Sequence, residues 1–98
     1  MTVDWKDLTK YKRYDKVRVP NSWGATFGVV DLVVHPYIGI DGWFMSSKRL
    51  NISAMSLKSE NDVSAKEEAV AKLRNILMGN ISDLTQALKE AGGDKLHE

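Results

Sequence analysis

Few residues in this 98-residue chain have the types and spacing that catalysis or metal binding requires. Cysteine is absent, which excludes thiolate nucleophiles, disulfides and thiolate metal ligands together. His97 lies near the C-terminus, and His35 stands before Pro36 at the end of an apolar run, a position more typical of a strand end than of a general base. We therefore predict a protein that is not an enzyme and that binds neither a cofactor nor a metal ion.

A basic and aromatic segment near the N-terminus is one candidate binding surface. The net charge is only +1, but residues 1–58 contain nine Lys and Arg against five Asp and Glu. The segment consists of Lys10, Tyr11, Lys12, Arg13, Tyr14, Lys16 and Arg18. Because phosphates attract Lys and Arg and unpaired bases stack on Tyr, these residues suit a small nucleic-acid-binding accessory protein. Nearby aspartates weaken the positive potential, so this function is the alternative hypothesis.

Large apolar side chains within turn-forming segments are the other candidate surface. Trp23 stands in the segment NSWG, and Tyr37 and Ile38 stand in HPYIG. Aromatic and aliphatic groups on loops, flanked by polar residues, are typical of the hot spots of protein interfaces. Together with the basic pair Lys48 and Arg49, they predict a protein-binding module, which is the first hypothesis. The competing interpretation of Trp23 is a lid that folds back onto the core.

The longest element that must position these residues is an amphipathic helix over residues 63–91. Its apolar stripe recurs at gaps of three and four and consists of Val70, Leu73, Leu77, Ile81, Leu84 and Leu88. Ser64 and Glu67 have the spacing of a capping box, and the glycines at 92 and 93 end the helix. The stripe keeps its phase through Gly79, which predicts one helix laid across a sheet, with a kink at Gly79 left open. Gly79 has two interpretations, close packing against that sheet and a functional hinge. Met78 falls off the stripe and is assigned to a contact or dimer surface.

The remaining residues predict short antiparallel strands. A helical or irregular lead over residues 4–14 precedes a strand at 15–19 and a long apolar strand at 25–35. Asp41-Gly42 has the composition of a two-residue hairpin turn, which would pair Ile38 with Met45. Further strands follow this turn and lead to the helix.

These elements predict an α+β fold, with a three- to four-stranded antiparallel sheet packed by one long C-terminal helix. A small SH3-like barrel with a C-terminal helix is the alternative fold. Residues 1–93 are expected to form a single domain, and residues 94–98 a flexible tail.

A short, cysteine-free antiparallel sheet followed by a capped helix with the sequence SAKEEAVAKLRNIL resembles small phage or mobile-element accessory proteins. This class includes anti-CRISPR proteins and other inhibitors of host functions. The resemblance covers the layout of nearly the whole chain and assigns no individual site residue. It implies stoichiometric binding to a host protein, without catalysis and without a cofactor.

Location and assembly are predicted only in outline. No apolar run approaches the roughly 20 residues that span a bilayer, and the N-terminal residues lack the apolar core of a signal peptide, so a cytoplasmic protein is expected without a membrane partner. A protein partner is expected, and nucleic acid is the alternative partner. A homodimer joined through the helix or an exposed sheet edge stays open.

Overall fold

A computed structural model of the chain describes residues 3–10, 21–37 and 39–92. The elements are β1 (Lys6–Asp7), β2 (Trp23–Phe27), β3 (Val30–Tyr37), β4 (Ile40–Ser47), β5 (Ile52–Ser56) and α1 (Asp62–Glu90). The strands form one open antiparallel sheet in the order β1-β2-β3-β4-β5, and α1 packs on one of its faces. The predicted α+β class is confirmed, with five strands in an open sheet rather than a barrel. The strand predicted at residues 15–19 and the tail predicted at 94–98 lie outside the described residues.

The core lies between the sheet and the first half of α1. Alternate residues of a strand point to opposite faces, and Leu32 and Val34 of β3 and Met45 of β4 point to the helix and are fully buried. The helix meets them with Ala65 and Ala69, which are also fully buried. Because these two side chains are small, the helix backbone lies close to the sheet.

A hairpin replaces the single long strand predicted at residues 25–35. Phe27 pairs with Val30, so the chain reverses at Gly28 and Val29. Gly28 has φ +64°, the left-handed conformation that such a two-residue turn needs and that glycine adopts without strain. The prediction was wrong because apolar residues flank this turn on both sides and no polar turn residue marks it.

The second hairpin also turns earlier than predicted. Tyr37 pairs with Ile40, so the reversal lies between these residues, where Gly39 has φ +79°. Asp41-Gly42, the predicted turn, lies inside β4 instead. Two neighbouring glycines therefore offered two turn positions, and the sequence pattern favoured the wrong one.

Gly42 takes part in a bulge rather than a turn. The pairing of β3 with β4 shifts across Pro36, and Gly42 has φ +110° on the opposite strand. Proline has no N–H to donate to the ladder, so the ladder is interrupted there and the bulge absorbs the extra residues. Beyond the bulge Met45 pairs with Val34, not with Ile38 as the predicted register required.

The described residues before β2 are irregular except for one short strand. Lys6 pairs with Gly24 and Asp7 with Trp23, which makes β1 a two-residue edge strand. The helical or irregular lead predicted from residue 4 is therefore an edge strand at Lys6–Asp7, and residues 11–14 of that lead lie outside the described part.

The helix is continuous but begins before the predicted capping box. Asn61 is the N-cap, and its side-chain oxygen accepts a hydrogen bond from the Ser64 N–H at 2.9 Å. Ser64 therefore lies in the first turn, and the predicted Ser64–Glu67 box is wrong. Asparagine is at least as favourable as serine at the N-cap position, so the helix begins after Asn61 rather than at Ser64.

The middle and end of α1 follow the prediction of one helix. The helix passes through Gly79 without a break. A Cβ at Gly79 would meet no atom within 4 Å, so the predicted close packing of this glycine on the sheet is wrong. The helix ends as predicted at Gly92, which has φ +83° and donates its N–H to the Lys89 carbonyl oxygen at 3.0 Å.

Candidate protein-binding surface

The second half of α1 projects beyond the sheet. The helix has 29 residues, about 43 Å at 1.5 Å per residue, whereas the longest strands have 8 residues, about 26 Å. The molecule measures 65 × 26 × 24 Å, and its radius of gyration of 17.4 Å exceeds the about 13 Å typical of a compact domain of this length. Residues 78–90, which we name the arm, form this projection.

The arm exposes four large apolar side chains along one side. These residues are Met78 (54% exposed), Ile81 (65%), Leu84 (68%) and Leu88 (55%), and we name them the arm stripe. The sequence periodicity placed three of them in the core, and that prediction is wrong because the sheet ends before the helix does. Met78, predicted to belong to a contact surface, is exposed as such a role requires.

Beside the sheet, the apolar stripe and the buried face of the helix coincide only in part, because they share Leu73 while Val70 and Leu77 are only partly buried. The buried row is Ala65, Ala69 and Leu73, at intervals of four residues. At 100° per residue this row lies about 90° around the helix from the line that joins Val70 to Leu88. The stripe therefore runs along the flank of the helix, and it continues without a change of phase from the sheet region onto the arm.

A groove lies where this flank leaves the sheet. It has a volume of about 580 Å³, and its apolar lining residues are Val3, Trp5, Phe27, Val70, Ala71, Leu73 and Leu77. Its charged lining residues are Lys66, Glu67 and Arg74. We name it the root groove, because Leu77 connects it directly to the first residues of the arm stripe.

Glu68 fixes the helix to the segment that leads into it. Its carboxylate accepts hydrogen bonds from the Lys58 N–H (2.9 Å), the Ser59 N–H (2.9 Å) and the Ser59 hydroxyl (2.7 Å), and it lies 3.4 Å from the Lys72 Nζ. Partial burial raises the pKa of this carboxyl, but the hydrogen bonds from Lys58, Ser59 and Lys72 outweigh it and lower the pKa from 4.5 to about 2. These contacts attach the second turn of α1 to residues 58–59.

Trp23, the first predicted contact residue, lies on a strand rather than on a loop. It pairs with Val34 in the sheet, and the Lys66 ammonium lies 3.5 Å from the centre of its ring and 5.9 Å from that of Trp5. Its indole Nε1 is buried without a hydrogen-bond partner among the described residues. This packing under a helix side chain matches the lid interpretation more closely than that of an exposed hot spot.

Tyr37 lies at the C-terminal end of β3, three residues beyond the Val34 that pairs with Trp23, and on the other face of the sheet. Its ring is half-exposed and packs edge-on against Phe44 at 5.8 Å, and Phe44 stacks on His35 at 6.3 Å. Ile40, next in the hairpin, is also exposed. Ile38 lies outside the described residues. The structure therefore separates Tyr37 from Trp23 by a sheet face.

Lys48 and Arg49 occupy the turn between β4 and β5, about 26 Å along β4 from Tyr37. The Asp31 carboxylate holds this turn: it accepts hydrogen bonds from the Lys48 N–H (2.9 Å), the Arg49 N–H (3.0 Å) and the hydroxyl of buried Ser47 (3.1 Å). The backbone N–H groups of Arg49 and Lys48 hold the pKa of Asp31 below its usual 3.8, although partial burial opposes them. The two basic side chains are exposed on a turn with a fixed backbone.

We expect Asp31→Asn to lower the free energy of unfolding by about 1–2 kcal/mol, because the amide keeps one acceptor oxygen and loses both the charge and the second acceptor. Urea unfolding followed by circular dichroism measures the loss. The exposed Asp41→Asn is the matched control and is expected to change stability by less than about 0.5 kcal/mol. Equal stability of the two variants would show that Asp31 does not hold the turn.

The basic flank is described only at its first residue. Lys10 is exposed. Its other members lie outside the described residues: Tyr11, Lys12, Arg13, Tyr14, Lys16 and Arg18. The nucleic-acid hypothesis therefore rests on the sequence of this flank.

His35 is held in a structural hydrogen-bond network. Its Nδ1 lies 2.9 Å from the Pro36 carbonyl oxygen, which can only accept, so Nδ1 is the donor and Nε2 accepts from the Ser46 hydroxyl at 2.8 Å. The Ser46 oxygen in turn accepts from the Ala54 N–H at 2.9 Å. In the described ranges no three His, Cys, Asp or Glu side chains are grouped as a metal site would require.

The arm was not predicted as a surface, although the length of the apolar stripe was one signal. The apolar stripe from Val70 to Leu88 spans five turns, about 27 Å, on top of the two turns that precede it. A sheet with strands of at most 8 residues does not cover that length. None of the helices in the part of the chain that is described is long and apolar enough to cross a membrane.

Comparison with known proteins adds no assignment. The sequence matches no family model, and neither a curated protein nor a solved structure shows significant similarity to the chain.

Proposed function

We propose that this protein is a small non-catalytic module that acts by binding another protein chain through its arm. The observation that carries the proposal is the exposure of the arm stripe on a helix half that the described residues leave uncovered. Large contiguous apolar surfaces of this kind are rare on monomeric proteins unless a partner covers them. Covering these half- to two-thirds-exposed side chains contributes about 1 kcal/mol or more for each residue.

The spacing of the stripe suits a helix-mediated contact. Ile81, Leu84 and Leu88 are spaced i, i+3 and i+7, the anchor spacing with which an amphipathic helix enters an apolar groove or packs on another helix. The hydrogen bonds of Glu68 hold the start of the helix in place, so little conformational freedom is lost when a partner binds the arm.

Binding without catalysis is supported by the role of His35. Both of its ring nitrogens are engaged, with the Pro36 carbonyl and the Ser46 hydroxyl, so the imidazole serves the end of the sheet. The resemblance to phage and mobile-element accessory proteins adds that the bound chain is a host protein, which stoichiometric binding inhibits. In that mode the protein needs no cofactor.

Capture experiments with matched arm variants test the proposal. Tagged wild type, Leu84→Glu and Ser82→Glu are used to capture proteins from a lysate of the native host, with nuclease added and without it. Both variants add one negative charge, on the stripe at Leu84 and off the stripe at Ser82. We expect Leu84→Glu to lose proteins that wild type and Ser82→Glu retain after nuclease treatment.

The opposite pattern contradicts the proposal. If Leu84→Glu retains the same proteins as wild type, the arm is not the contact surface. If capture disappears with nuclease, nucleic acid carries it and the basic flank becomes the site, because phosphate contacts dominate such binding.

A further inference from the structure

We propose that the arm binds the arm of a second copy of this chain, and that the two helices pair antiparallel. This inference rests on the proposed function, since both treat the arm as a protein-binding surface. Leu77, Ile81, Leu84, Leu88 and Ala91 follow one another at gaps of four, three, four and three. That 3.5-residue repeat is the spacing with which two helices interlock along their full contact, whereas a helix docked on a sheet needs no such repeat.

The residues that flank this seam carry no charge. They are Met78, Asn80, Thr85 and Ala87. In a symmetric pair every charged flank meets a copy of itself or of its neighbour, so a neutral flank removes the repulsion that would oppose self-association. The Thr85 hydroxyl already donates to the Ile81 carbonyl oxygen at 2.6 Å, so its donor is satisfied if the flank is covered. A charged foreign partner gains nothing from such a flank.

Arg74 selects the antiparallel direction. It occupies the seam position one turn before Leu77. In a parallel pair in register Arg74 faces its own copy, and two like charges oppose each other. In an antiparallel pair centred between residues 82 and 83, Arg74 lies opposite Ala91 of the second copy, at the negative end of that helix, where the side-chain charges of Lys89 and Glu90 offset each other. This direction therefore replaces repulsion by attraction.

In the antiparallel register, the large apolar residues of one arm also lie opposite large apolar residues of the other arm. Leu77 lies opposite Leu88 of the second copy, and Ile81 lies opposite Leu84 of the second copy. The two outer layers thus join Leu77, which lines the root groove, to the end of the other arm. The end of the second arm then lies over the part of each root groove that Arg74 and Leu77 line.

The arm is short for a stable helix, which favours a partner that is always present to pack against it. An isolated helical segment of 13 residues is marginal in water, and Gly79 weakens this one further. Side-chain packing along the stripe is what stabilises a helix of this length. A second copy is present wherever the chain is made, and it supplies that packing with the same residues.

Mass in solution is the first test. Sedimentation equilibrium of the full wild-type chain is expected to give twice 11.0 kDa, about 22 kDa, and Ser82→Glu is expected to give the same mass. Leu84→Glu is expected to raise the dissociation constant of the pair by at least about 100-fold, because it places a charge in each central layer. Far-ultraviolet circular dichroism establishes that this variant is folded.

The chain has no cysteine, so engineered cysteines report the direction of pairing. Under oxidation, a mixture of Leu77→Cys and Leu88→Cys chains is expected to form a disulfide between unlike chains. Each variant alone is expected to stay uncrosslinked, because each cysteine then lies opposite a leucine. Efficient crosslinking of Leu88→Cys with itself would overturn the antiparallel pair.

A wild type that sediments at 11.0 kDa at high concentration would overturn the self-pairing, as would a folded Leu84→Glu that keeps the mass of the pair. These failures are distinguishable from a failure of the proposed function. A monomer that captures a host protein through Leu84 keeps the proposed function without the second copy. If the protein is a monomer and Leu84→Glu captures the same proteins as wild type, both the self-pairing and the proposed function are wrong.

Discussion

Leu73→Asp is expected to unfold the protein, whereas Leu84→Asp leaves the isolated chain folded. Both residues belong to the same apolar stripe in the sequence, but Leu73 is 2% exposed against β3 and β4 and Leu84 is 68% exposed on the arm. A carboxylate at Leu73 loses its hydration without a partner, and the removed leucine leaves a cavity. Together these effects cost about 4–5 kcal/mol. The total stability of a small domain is about 5–15 kcal/mol, so this loss decides the fold.

Urea unfolding followed by circular dichroism measures both variants, at a dilution at which wild type sediments as a monomer. That condition matters because association stabilises the folded state by mass action and would add a separate effect at Leu84. There Leu84→Asp is expected to differ from wild type by less than about 0.5 kcal/mol. Comparable losses in the two variants would mean that the arm packs on its own sheet and does not project.

The contrast between Leu73 and Leu84 also marks what the sequence could and could not predict. Periodicity established the helix, its continuity through Gly79 and its end at Gly92, because these depend on local spacing and local backbone preferences. It did not establish which part of the stripe is covered, because that depends on the size of the sheet. The buried row proved to be Ala65, Ala69 and Leu73. The small side chains of the two alanines allow the helix to approach the sheet closely on this side.

The sheet was predicted as a class, but its turns were not. The strands have the expected β-branched composition, and the antiparallel arrangement follows from short connections. The reversals at Gly28 and Gly39 have no polar turn sequence, whereas Asp41-Gly42 has one and serves in a bulge. Pro36 explains the bulge only once its partner strand is known, so the register needed long-range information.

The predicted contact residues were dispersed for the same reason. Trp23 was assigned to a loop because glycine, serine and asparagine surround it, yet pairing with Val34 draws it into the sheet beneath Lys66. Tyr37 and the basic pair at residues 48–49 lie at opposite ends of β4. No single surface contains them, whereas the arm stripe is contiguous because one helix presents it.

Glu68→Gln is expected to lower the free energy of unfolding at pH 7 by about 2 kcal/mol. The amide keeps one acceptor oxygen but cannot replace the carboxylate that receives the N–H and hydroxyl of Ser59, the Lys58 N–H and the Lys72 ammonium. The shift of the pKa from 4.5 to about 2 corresponds to about 3 kcal/mol by linkage. We reduce that figure because the side chain is partly exposed and water screens part of the interaction.

The sign of the pH dependence follows from the lowered pKa. A carboxyl that ionises more readily in the folded state stabilises the fold above pH 4.5, and this contribution is lost as the pH falls from about 4.5 to about 2. The stability difference between wild type and Glu68→Gln is therefore expected to shrink over that range, as measured by urea unfolding at a series of pH values. Using the difference removes the parallel acid sensitivity of Asp31, which both proteins share.

Glu67→Gln is the matched control, because it removes the same charge from the adjacent exposed position. It is expected to change the free energy of unfolding at pH 7 by less than about 0.5 kcal/mol. A Glu68→Gln protein that is as stable as this control at pH 7 would mean that the carboxylate does not anchor α1 to residues 58–59. The start of the helix would then be held to the sheet by the Ala65, Ala69 and Leu73 row.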